Sequence, residues 1–397
     1  MKNVVFISPN FPTNYWQFCK ELKNNGMNVL GIGDQPYFEL KQELRESLDE
    51  YYKVGNLENY DEVYRAVAFF AFKYGRIDWL ETNNEYWLLR DAQLRTDFNI
   101  TTGLQNDHID GIKFKSKMKE YYAKAGVPTA RYHLVDTLEG GLKFVADAGY
   151  PVIVKPDNGV GAAATYKLKS DEDLVAFFDS YPKEVPYIME EFVNGYVRTY
   201  DAIIDSKGNA LFESGNITPL SLMDIVNDQG DSIYYIVKEL PEDVIDAGQR
   251  TVKAFGVRSR FIHLEYFVLN ADQEGLGKAG DIIGLEVNMR PSGGYTPDMY
   301  NFAHETDVYK IWADMIAFDY NTKDIGNSHF CAFYSRRDGK HYKLDDYEVM
   351  TKYGPKMVMW GRIPDALSGA MANQMYVANF DTEEEMMAYY EDLAAQY

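Results

Sequence analysis

The residues best suited to chemistry lie in one stretch, 284–294, which reads Gly-Leu-Glu-Val-Asn-Met-Arg-Pro-Ser-Gly-Gly. In a strand, successive side chains alternate between two faces, so Glu286, Asn288 and Arg290 would share one face. Carboxylate and amide oxygens are ligands that Mg²⁺ accepts, and a guanidinium binds phosphate or carboxylate oxygens through two parallel N–H groups. The stretch therefore predicts a strand that holds Mg²⁺ beside a phosphate. A half-exposed strand with a polar outer face is the alternative interpretation.

A further carboxylate lies in an apolar setting upstream. In the segment Arg260–Val268, Glu265 stands among apolar and aromatic neighbours, and glutamate is almost never fully buried unless it is paired or bound to a metal. The polar segment Asn270–Gly280 predicts a loop that joins this strand to the one carrying Glu286. Antiparallel pairing could then set the two glutamates side by side, where they imply a raised pKa or a divalent cation. A structural salt bridge at Glu265 is the alternative.

A lysine and a loop rich in glycine and alanine suit phosphate binding. Lys155 closes the apolar strand Pro151–Lys155, and the loop Asp157–Thr165 follows directly. Backbone N–H groups in such a loop can form an anion-binding concavity, and glycine allows close approach. The loop has no G-x-x-x-x-G-K-[ST] pattern, so it is not a Walker loop. A mobile surface loop beside a lysine that extends to solvent is the alternative.

The stretch Tyr187–Gly195 predicts another strand that leads into a polar turn. Glu190 could accept a hydrogen bond from an exocyclic amine while the backbone from Glu191 to Val193 contacts the edge of a ring. A surface carboxylate pair is the alternative. The six histidines show no metal-ligand spacing, so a structural role is expected for them.

The elements that must position these residues follow from hydrophobic periodicity. Short apolar runs alternate with amphipathic segments over the first hundred residues, such as the strand Val4–Ile7 and the helix Tyr60–Tyr74. This alternation predicts βαβ units and a parallel sheet. A helix over Lys113–Lys124 would end at Ala-Gly-Val-Pro. Longer strands with hairpin signals follow from residue 188 onwards.

Composition excludes several functional classes. The 397 residues carry a formal net charge of −21, whereas nucleic-acid binding needs a surplus of lysine and arginine. No stretch of about 18 apolar residues occurs, so no membrane span is expected. The N-terminal apolar run is too short for a signal-peptide core. Cys19 and Cys331 are expected to be free thiols in a reducing compartment, which predicts a cytoplasmic location.

Taken in their order along the chain, the candidate site stretches described above resemble those of the ATP-grasp superfamily. The resemblance is specifically to its carbamoyl-phosphate-synthase-like and biotin-carboxylase-like branch of carboxylate–amine ligases. The resemblance covers about residues 1–325, and the Glu-x-Asn-x-Arg row followed by Pro-Ser-Gly-Gly is its most specific element. It implies a mixed α/β and α+β architecture, the ATP-grasp fold with an N-terminal Rossmann-like domain. The expected units are that domain (1–107), a small lid subdomain (108–187), a large subdomain with the metal site (188–325) and a small C-terminal α+β unit (326–397).

The resemblance also implies roles for individual residues. The cofactors would be ATP and Mg²⁺, as two ions bridged by Glu286, with Mn²⁺ as an alternative metal. Catalytic roles fall to Arg290, which steadies an acyl phosphate, and to Lys155, which reaches the α- and β-phosphates. The metal ligands are Glu265, Glu286 and Asn288, and the ATP contacts are Lys115 or a neighbouring lysine, Lys155, Gly159, Gly161, Ala162, Glu190, Glu191 and Val193. The chain departs from the family where relatives often have an acidic ribose contact, since it has Arg198 there, and this arginine is expected to meet a phosphate or an acidic substrate. The turn of Ser292, Gly293 and Gly294 is expected to contribute to substrate specificity.

The reaction implied is activation of a small carboxylate as an acyl phosphate, which an amine attacks to form a C–N bond, with release of ADP and phosphate. The expected partners are therefore small carboxylates and amines, and relatives of this kind are frequently dimers. One alternative is a subunit that forms carbamoyl phosphate or carboxy-phosphate, with bicarbonate as the acid. The other is an ATP-binding sensor without turnover.

Overall fold

The structure, a computed structural model, describes residues 1–159, 164–219 and 230–397. The predicted ATP contacts Gly161 and Ala162 lie outside these residues. The described strands form three sheets, and every predicted metal ligand belongs to the largest of them. No helix in the described part of the chain is long and apolar enough to cross a membrane.

The N-terminal sheet is parallel, as the alternation of strand and helix signals predicts. Its strands are β1 (Asn3–Ile7), β2 (Asn28–Gly33), β3 (Glu50–Lys53) and β4 (Trp79–Glu81), in the order β3-β2-β1-β4. Strand β1 is buried along its whole length because the sheet is packed on both faces. The helices of this region are α1 (Trp16–Asn24), α2 (Gln42–Ser47), α3 (Tyr60–Tyr74) and α4 (Leu88–Asp97).

The second sheet has four strands in the order β5-β8-β6-β7. These are β5 (Tyr132–Leu134), β6 (Val152–Pro156), β7 (Tyr166–Leu168) and β8 (Tyr187–Glu191). Helices α5 (Asp110–Lys113) and α6 (Lys115–Ala125) precede the first of these strands. Helix α7 (Leu138–Ala148) connects β5 to β6, and α8 (Asp171–Ser180) connects β7 to β8. The predicted boundary between 187 and 188 cuts β8, which pairs with both β5 and β6 and so belongs to this small sheet.

The third sheet is the largest, with nine described strands, and its core is shared with helices from both sides. Its main path runs β14-β13-β9-β11-β12-β15-β17-β16, and β10 pairs with β9. The strands are β9 (Gly195–Ile204), β10 (Ala210–Ser214), β11 (Asn216–Thr218), β12 (Ser232–Ile236), β13 (Arg260–Leu269), β14 (Ile282–Asn288), β15 (Phe330–Arg336), β16 (Met357–Arg362) and β17 (Gln374–Phe380).

The C-terminal segment continues this sheet rather than forming a sheet of its own. Strand β15 pairs antiparallel with β12, and β17 and β16 extend the sheet beyond it. The predicted boundary at residue 326 therefore separates stretches of chain that share one sheet. The remaining helices are α9 (Glu242–Phe255), α10 (Thr296–Ala303), α11 (Val308–Phe318), α12 (Asp346–Tyr353), α13 (Asp365–Met371) and α14 (Glu383–Ala394).

Candidate active site

The predicted metal ligands meet on one face of two neighbouring strands. Strands β13 and β14 are antiparallel, with Glu265 directly opposite Glu286 and His263 opposite Asn288. The side-by-side pairing of the two glutamates that the sequence predicts is therefore confirmed. The Asn288 side-chain amide donates to Glu265 Oε1 at 3.3 Å. Three oxygen-bearing side chains thus converge at one edge of the sheet.

Arg290 lies two residues beyond the end of β14, yet its side chain returns to this group. Its guanidinium donates to Asn288 Oδ1 at 3.1 Å and to the carbonyl oxygen of Pro291 at 2.8 Å. The guanidinium is half-buried, and although burial raises the pKa of the nearby Glu265 carboxyl, His263 and the positive charge of Arg290 outweigh it and lower that pKa. The Glu-x-Asn-x-Arg row is thus brought together, although its last member is outside the strand.

The side chain of Lys115 forms an ion pair with one of the two candidate metal-ligand carboxylates, that of Glu286. Lys115 Nζ donates to Glu286 Oε1 and to the carbonyl oxygen of Gly159, each at 2.9 Å. In the described part of the chain, no three His, Cys, Asp or Glu side chains form a metal cluster. The candidate set is two carboxylates and one amide. This donor set fits Mg²⁺, which is commonly held by one or two carboxylates and completes its shell with water and substrate phosphates.

Helix α6 carries two lysines whose side chains contact carboxylates of the candidate site. Lys115 and Lys119 are one turn apart on the same face, and both are buried. Lys117, between them, is exposed and pairs with Glu120 at 3.0 Å. Sequence reasoning did not assign Lys119; its spacing of four residues from Lys115 is the signal that could have identified it.

Glu190 is buried between two lysines. Its Oε1 lies 2.6 Å from Lys119 Nζ, and its Oε2 lies 2.6 Å from Lys155 Nζ. Burial raises the pKa of the Glu190 carboxyl, but the two ammonium groups outweigh it and hold that pKa at about 2. Because both carboxylate oxygens accept from lysines here, the predicted contact of Glu190 with an adenine amine remains a prediction.

The side chain of Glu191 has a structural partner. Arg131 donates to Glu191 Oε2 through Nε at 3.0 Å and through a terminal nitrogen at 2.8 Å, and its backbone N–H donates to Oε1 at 2.7 Å. The backbone N–H of Glu191 also donates to the carbonyl oxygen of Arg131, at 3.0 Å, so the predicted contact of the Glu191 backbone with a ring remains a prediction. Val193 is buried in a small apolar cluster with Ala130, Leu269 and Ile283, and its contact with an adenine ring remains a prediction.

His263 supports one of the candidate metal ligands. Its Nδ1 lies 2.6 Å from Asp201 Oδ1, and its Nε2 lies 3.1 Å from Glu265 Oε1. Burial lowers the pKa of the imidazole, but the neighbouring carboxylates of Asp201 and Glu265 outweigh it and raise the pKa to about 9. At neutral pH the ring therefore donates to both carboxylates and fixes the orientation of Glu265. The sequence predicted a structural role for this histidine without identifying its link to the site.

The region of the N-terminal sheet also contacts the site, through Glu85. This residue follows β4 at the carboxyl edge of the parallel sheet, the edge where α/β folds commonly bind ligands. Its Oε1 accepts from Lys113 at 3.2 Å, and its Oε2 lies 3.8 Å from Arg290 Nε. Sequence reasoning missed Glu85, which is buried, because nothing in its local pattern separates it from the many exposed acidic residues of the chain.

The predicted substrate contacts divide into two groups. Ser292, Gly293 and Gly294 form the turn after Arg290, and the carbonyl oxygen of Gly294 accepts from the Asn14 side chain at 3.2 Å. Arg198 pairs in register with Tyr266, whereas its neighbour Thr199 pairs with Glu265. The alternation of side chains therefore places Arg198 on the opposite face of the sheet from the metal ligands. The structure does not bring Arg198 to this site.

Comparison with known proteins agrees with this geometry. Residues 110–258 match the family described as the ATP-binding domain of the carbamoyl-phosphate synthase L chain. One curated relative, the C-terminal section of the carbamoyl phosphate synthase large chain of Aquifex aeolicus, is 21% identical over 320 residues; the match covers 74% of this chain and 54% of that protein. The chain spans about a fifth to half of the length of the first curated relatives that it matches. The family resemblance expected from the sequence is confirmed.

Solved structures show the same fold over nearly the whole chain. An L-amino acid ligase from Bacillus licheniformis matches with a TM-score of 0.68 and 16% identity, covering 99% of this chain and 97% of that one. The biotin carboxylase domain of the 2-oxoglutarate carboxylase of Hydrogenobacter thermophilus, solved with MgADP and bicarbonate, matches with a TM-score of 0.68 and 14% identity, covering 99% and 89%. The predicted fold class is thus confirmed.

Proposed function

We propose that this chain, which has the ATP-grasp fold and matches a carbamoyl-phosphate-synthase ATP-binding family over residues 110–258, is an ATP- and Mg²⁺-dependent carboxylate–amine ligase. The observation that carries the proposal is the convergence of Glu265, Glu286, Asn288 and Arg290 beside Lys115. A protein that only binds nucleotide has little need for this set. Bound Mg²⁺ would be held by the two glutamates and Asn288, and it would neutralise charge on the transferred phosphoryl group.

The first step converts a poor electrophile into a good one. An oxygen of the substrate carboxylate attacks the γ-phosphorus of ATP, the bond from that phosphorus to the bridging oxygen breaks, and ADP leaves. Most of the catalysis of such a transfer is positioning and charge neutralisation. Lys155 and Arg290 supply positive charge from opposite sides of the cleft in this proposal, and Arg290 holds the acyl phosphate once it forms.

The second step forms the C–N bond. The lone pair of the amine attacks the carbonyl carbon of the acyl phosphate, the carbon–oxygen bond to phosphate breaks, and the phosphate leaves with the bonding electrons while the nitrogen loses a proton. Water must be excluded, because hydrolysis of the intermediate would waste ATP. The loop 157–165 is the segment we expect to cover the phosphates.

A substrate screen tests the proposal. The protein is incubated with ATP, Mg²⁺ and pooled amino acids. Phosphate release is measured, and new products are identified by mass spectrometry. We expect release that depends on a carboxylate–amine pair and an amide product of matching mass. Release that depends on bicarbonate alone would favour the carbamoyl- or carboxy-phosphate alternative. Tight ATP binding with no turnover in any pool would favour the sensor.

The cytoplasmic location, the homodimer and the count of two metal ions are part of the same proposal. Cell fractionation tests the first and sedimentation velocity the second. Titration of the protein with Mn²⁺ in the presence of ADP gives the number of metal sites.

A further inference from the structure

The two lysines that hold Glu190 are anchored in different ways. Lys119 Nζ also donates to the carbonyl oxygen of Ala130 at 3.0 Å and lies 5.4 Å from the centre of the Tyr132 ring. Among the described residues, Glu190 is the one hydrogen-bonding or ion-pairing partner of the Lys155 ammonium group. Lys119 is therefore fixed by three groups, whereas Lys155 can leave by breaking one contact.

We infer that Lys119 is a positioning residue that keeps Glu190 charged and in place when Lys155 turns from Glu190 to the phosphates of the nucleotide. The inference rests on the proposed function, since it concerns the nucleotide site. It assigns different roles to two lysines that contact the same carboxylate. Lys155 contacts the phosphates, and Lys119 acts through Glu190.

The cost of burying an unpaired charge gives the physical reason. Glu190 is 6% exposed, and removing one partner of a buried ion pair leaves an uncompensated charge at a large free-energy cost. If Lys155 were the one cation beside Glu190, its movement to a phosphate would leave the Glu190 carboxylate buried without an opposite charge. Lys119 removes that penalty because it stays with Glu190 in both states. Lys155 is then free to exchange a carboxylate for a phosphate.

A double-mutant cycle separates this role from direct phosphate binding. Binding of inorganic tripolyphosphate, a probe without adenine, is measured by calorimetry for the wild type, Lys119→Met, Glu190→Gln and the double variant. Lys117→Met is the matched control, because Lys117 lies on the same helix but is exposed. Circular dichroism of each variant establishes that the fold is kept.

We expect Lys119→Met to weaken tripolyphosphate binding about tenfold, which corresponds to a coupling of about 1.4 kcal/mol. Glu190→Gln should tighten binding, because Lys155 is then no longer held by a carboxylate. In the Glu190→Gln background, Lys119→Met should have little further effect. The Lys117→Met control should match the wild type.

Two results would overturn the inference. If Lys119→Met weakens binding equally in both backgrounds, Lys119 binds phosphate directly. If Glu190→Gln does not tighten tripolyphosphate binding, Glu190 does not compete with the phosphates for Lys155. This comparison with the wild type can be made even if Lys119→Met fails to fold. Absence of any binding of ATP or tripolyphosphate to the wild type would instead reject the proposed function itself, so the two failures are distinguishable.

Discussion

Lys115 Nζ lies 2.9 Å from Oε1 of Glu286, one of the two carboxylates that we propose as metal ligands. Carboxylates of the candidate site are therefore paired with lysines of the same chain. Glu190 shows the same behaviour with Lys119 and Lys155. We interpret the cleft as a site whose internal ion pairs are exchanged for Mg²⁺ and phosphates when the nucleotide binds.

The first prediction concerns Glu286, which the account places in contact with metal. Glu286→Gln keeps the size and one oxygen of the side chain but removes its charge. We expect turnover to fall by at least about a hundredfold, because charge stabilisation by positioned groups is worth that much in comparable sites. Phosphate release measures the loss, and an unchanged unfolding transition shows that the fold is kept.

The exposed Glu120 offers a matched control, since Glu120→Gln makes the same chemical change on the surface of α6. This variant should retain wild-type activity. Full activity of Glu286→Gln would remove the metal hypothesis.

The second prediction concerns Arg290. Its planar guanidinium bonds to Asn288 and lies beside Glu85, a geometry that an ammonium group cannot reproduce. We expect Arg290→Lys to lower kcat about a hundredfold while the KM for ATP changes little, since the account gives Arg290 the acyl phosphate rather than the nucleotide. Steady-state kinetics with ATP varied at saturating substrate measure both constants. A raised KM for ATP at unchanged kcat would contradict this role.

The third prediction separates structure from binding at Glu191. Its carboxylate accepts three hydrogen bonds from Arg131, and its side chain is buried. Glu191→Gln should lower the free energy of unfolding by about 2 kcal/mol, because hydrogen bonds to a charged group are the stronger ones. Urea unfolding measures this loss. If ATP affinity falls instead while stability is unchanged, the side chain contacts the nucleotide.

The fourth prediction is a dependence of stability on pH. Asp91 is fully buried near Glu81, Arg95 and Arg260. Burial, opposed by Arg95, raises the pKa of the Asp91 carboxyl to about 7. A carboxyl whose pKa is raised on folding contributes stability below its unfolded pKa of 3.8, and this contribution is lost as the pH rises through about 7.

We therefore expect the unfolding free energy of Asp91→Asn, measured relative to that of the wild type, to increase by on the order of 2 kcal/mol between pH 4 and pH 7. Urea unfolding of both proteins across this range measures the difference. Parallel curves for the wild type and the variant would show that Asp91 does not titrate in this window.

Local patterns predicted much of this architecture. The helix expected over Tyr60–Tyr74 has those bounds, because its apolar face and the following glycine are both encoded locally. The pairing of Glu265 with Glu286 could be predicted because one polar loop joins the two strands. Gly126 ends α6 in the left-handed conformation, with φ +67°, as its place in Ala-Gly-Val-Pro indicates.

Contacts between distant segments could not be predicted in the same way. Glu85 and Arg290 are about two hundred residues apart in sequence, and only the fold brings them together. Strand β15 was expected in a separate unit, because periodicity identifies a strand but not its partner, and its pairing with β12 spans about a hundred residues. The link from His263 to Asp201 depends likewise on the register of β13 with β9.

The central claim is that Glu265 and Glu286 bind a divalent metal together with a nucleotide. Mn²⁺, which is paramagnetic, can be titrated into the protein with ADP while the relaxation rate of water protons is followed. We expect strong enhancement for the wild type and for Glu120→Gln, and loss of the enhancement in a Glu265→Gln, Glu286→Gln double variant that keeps its fold. Equal enhancement in all three proteins would contradict it.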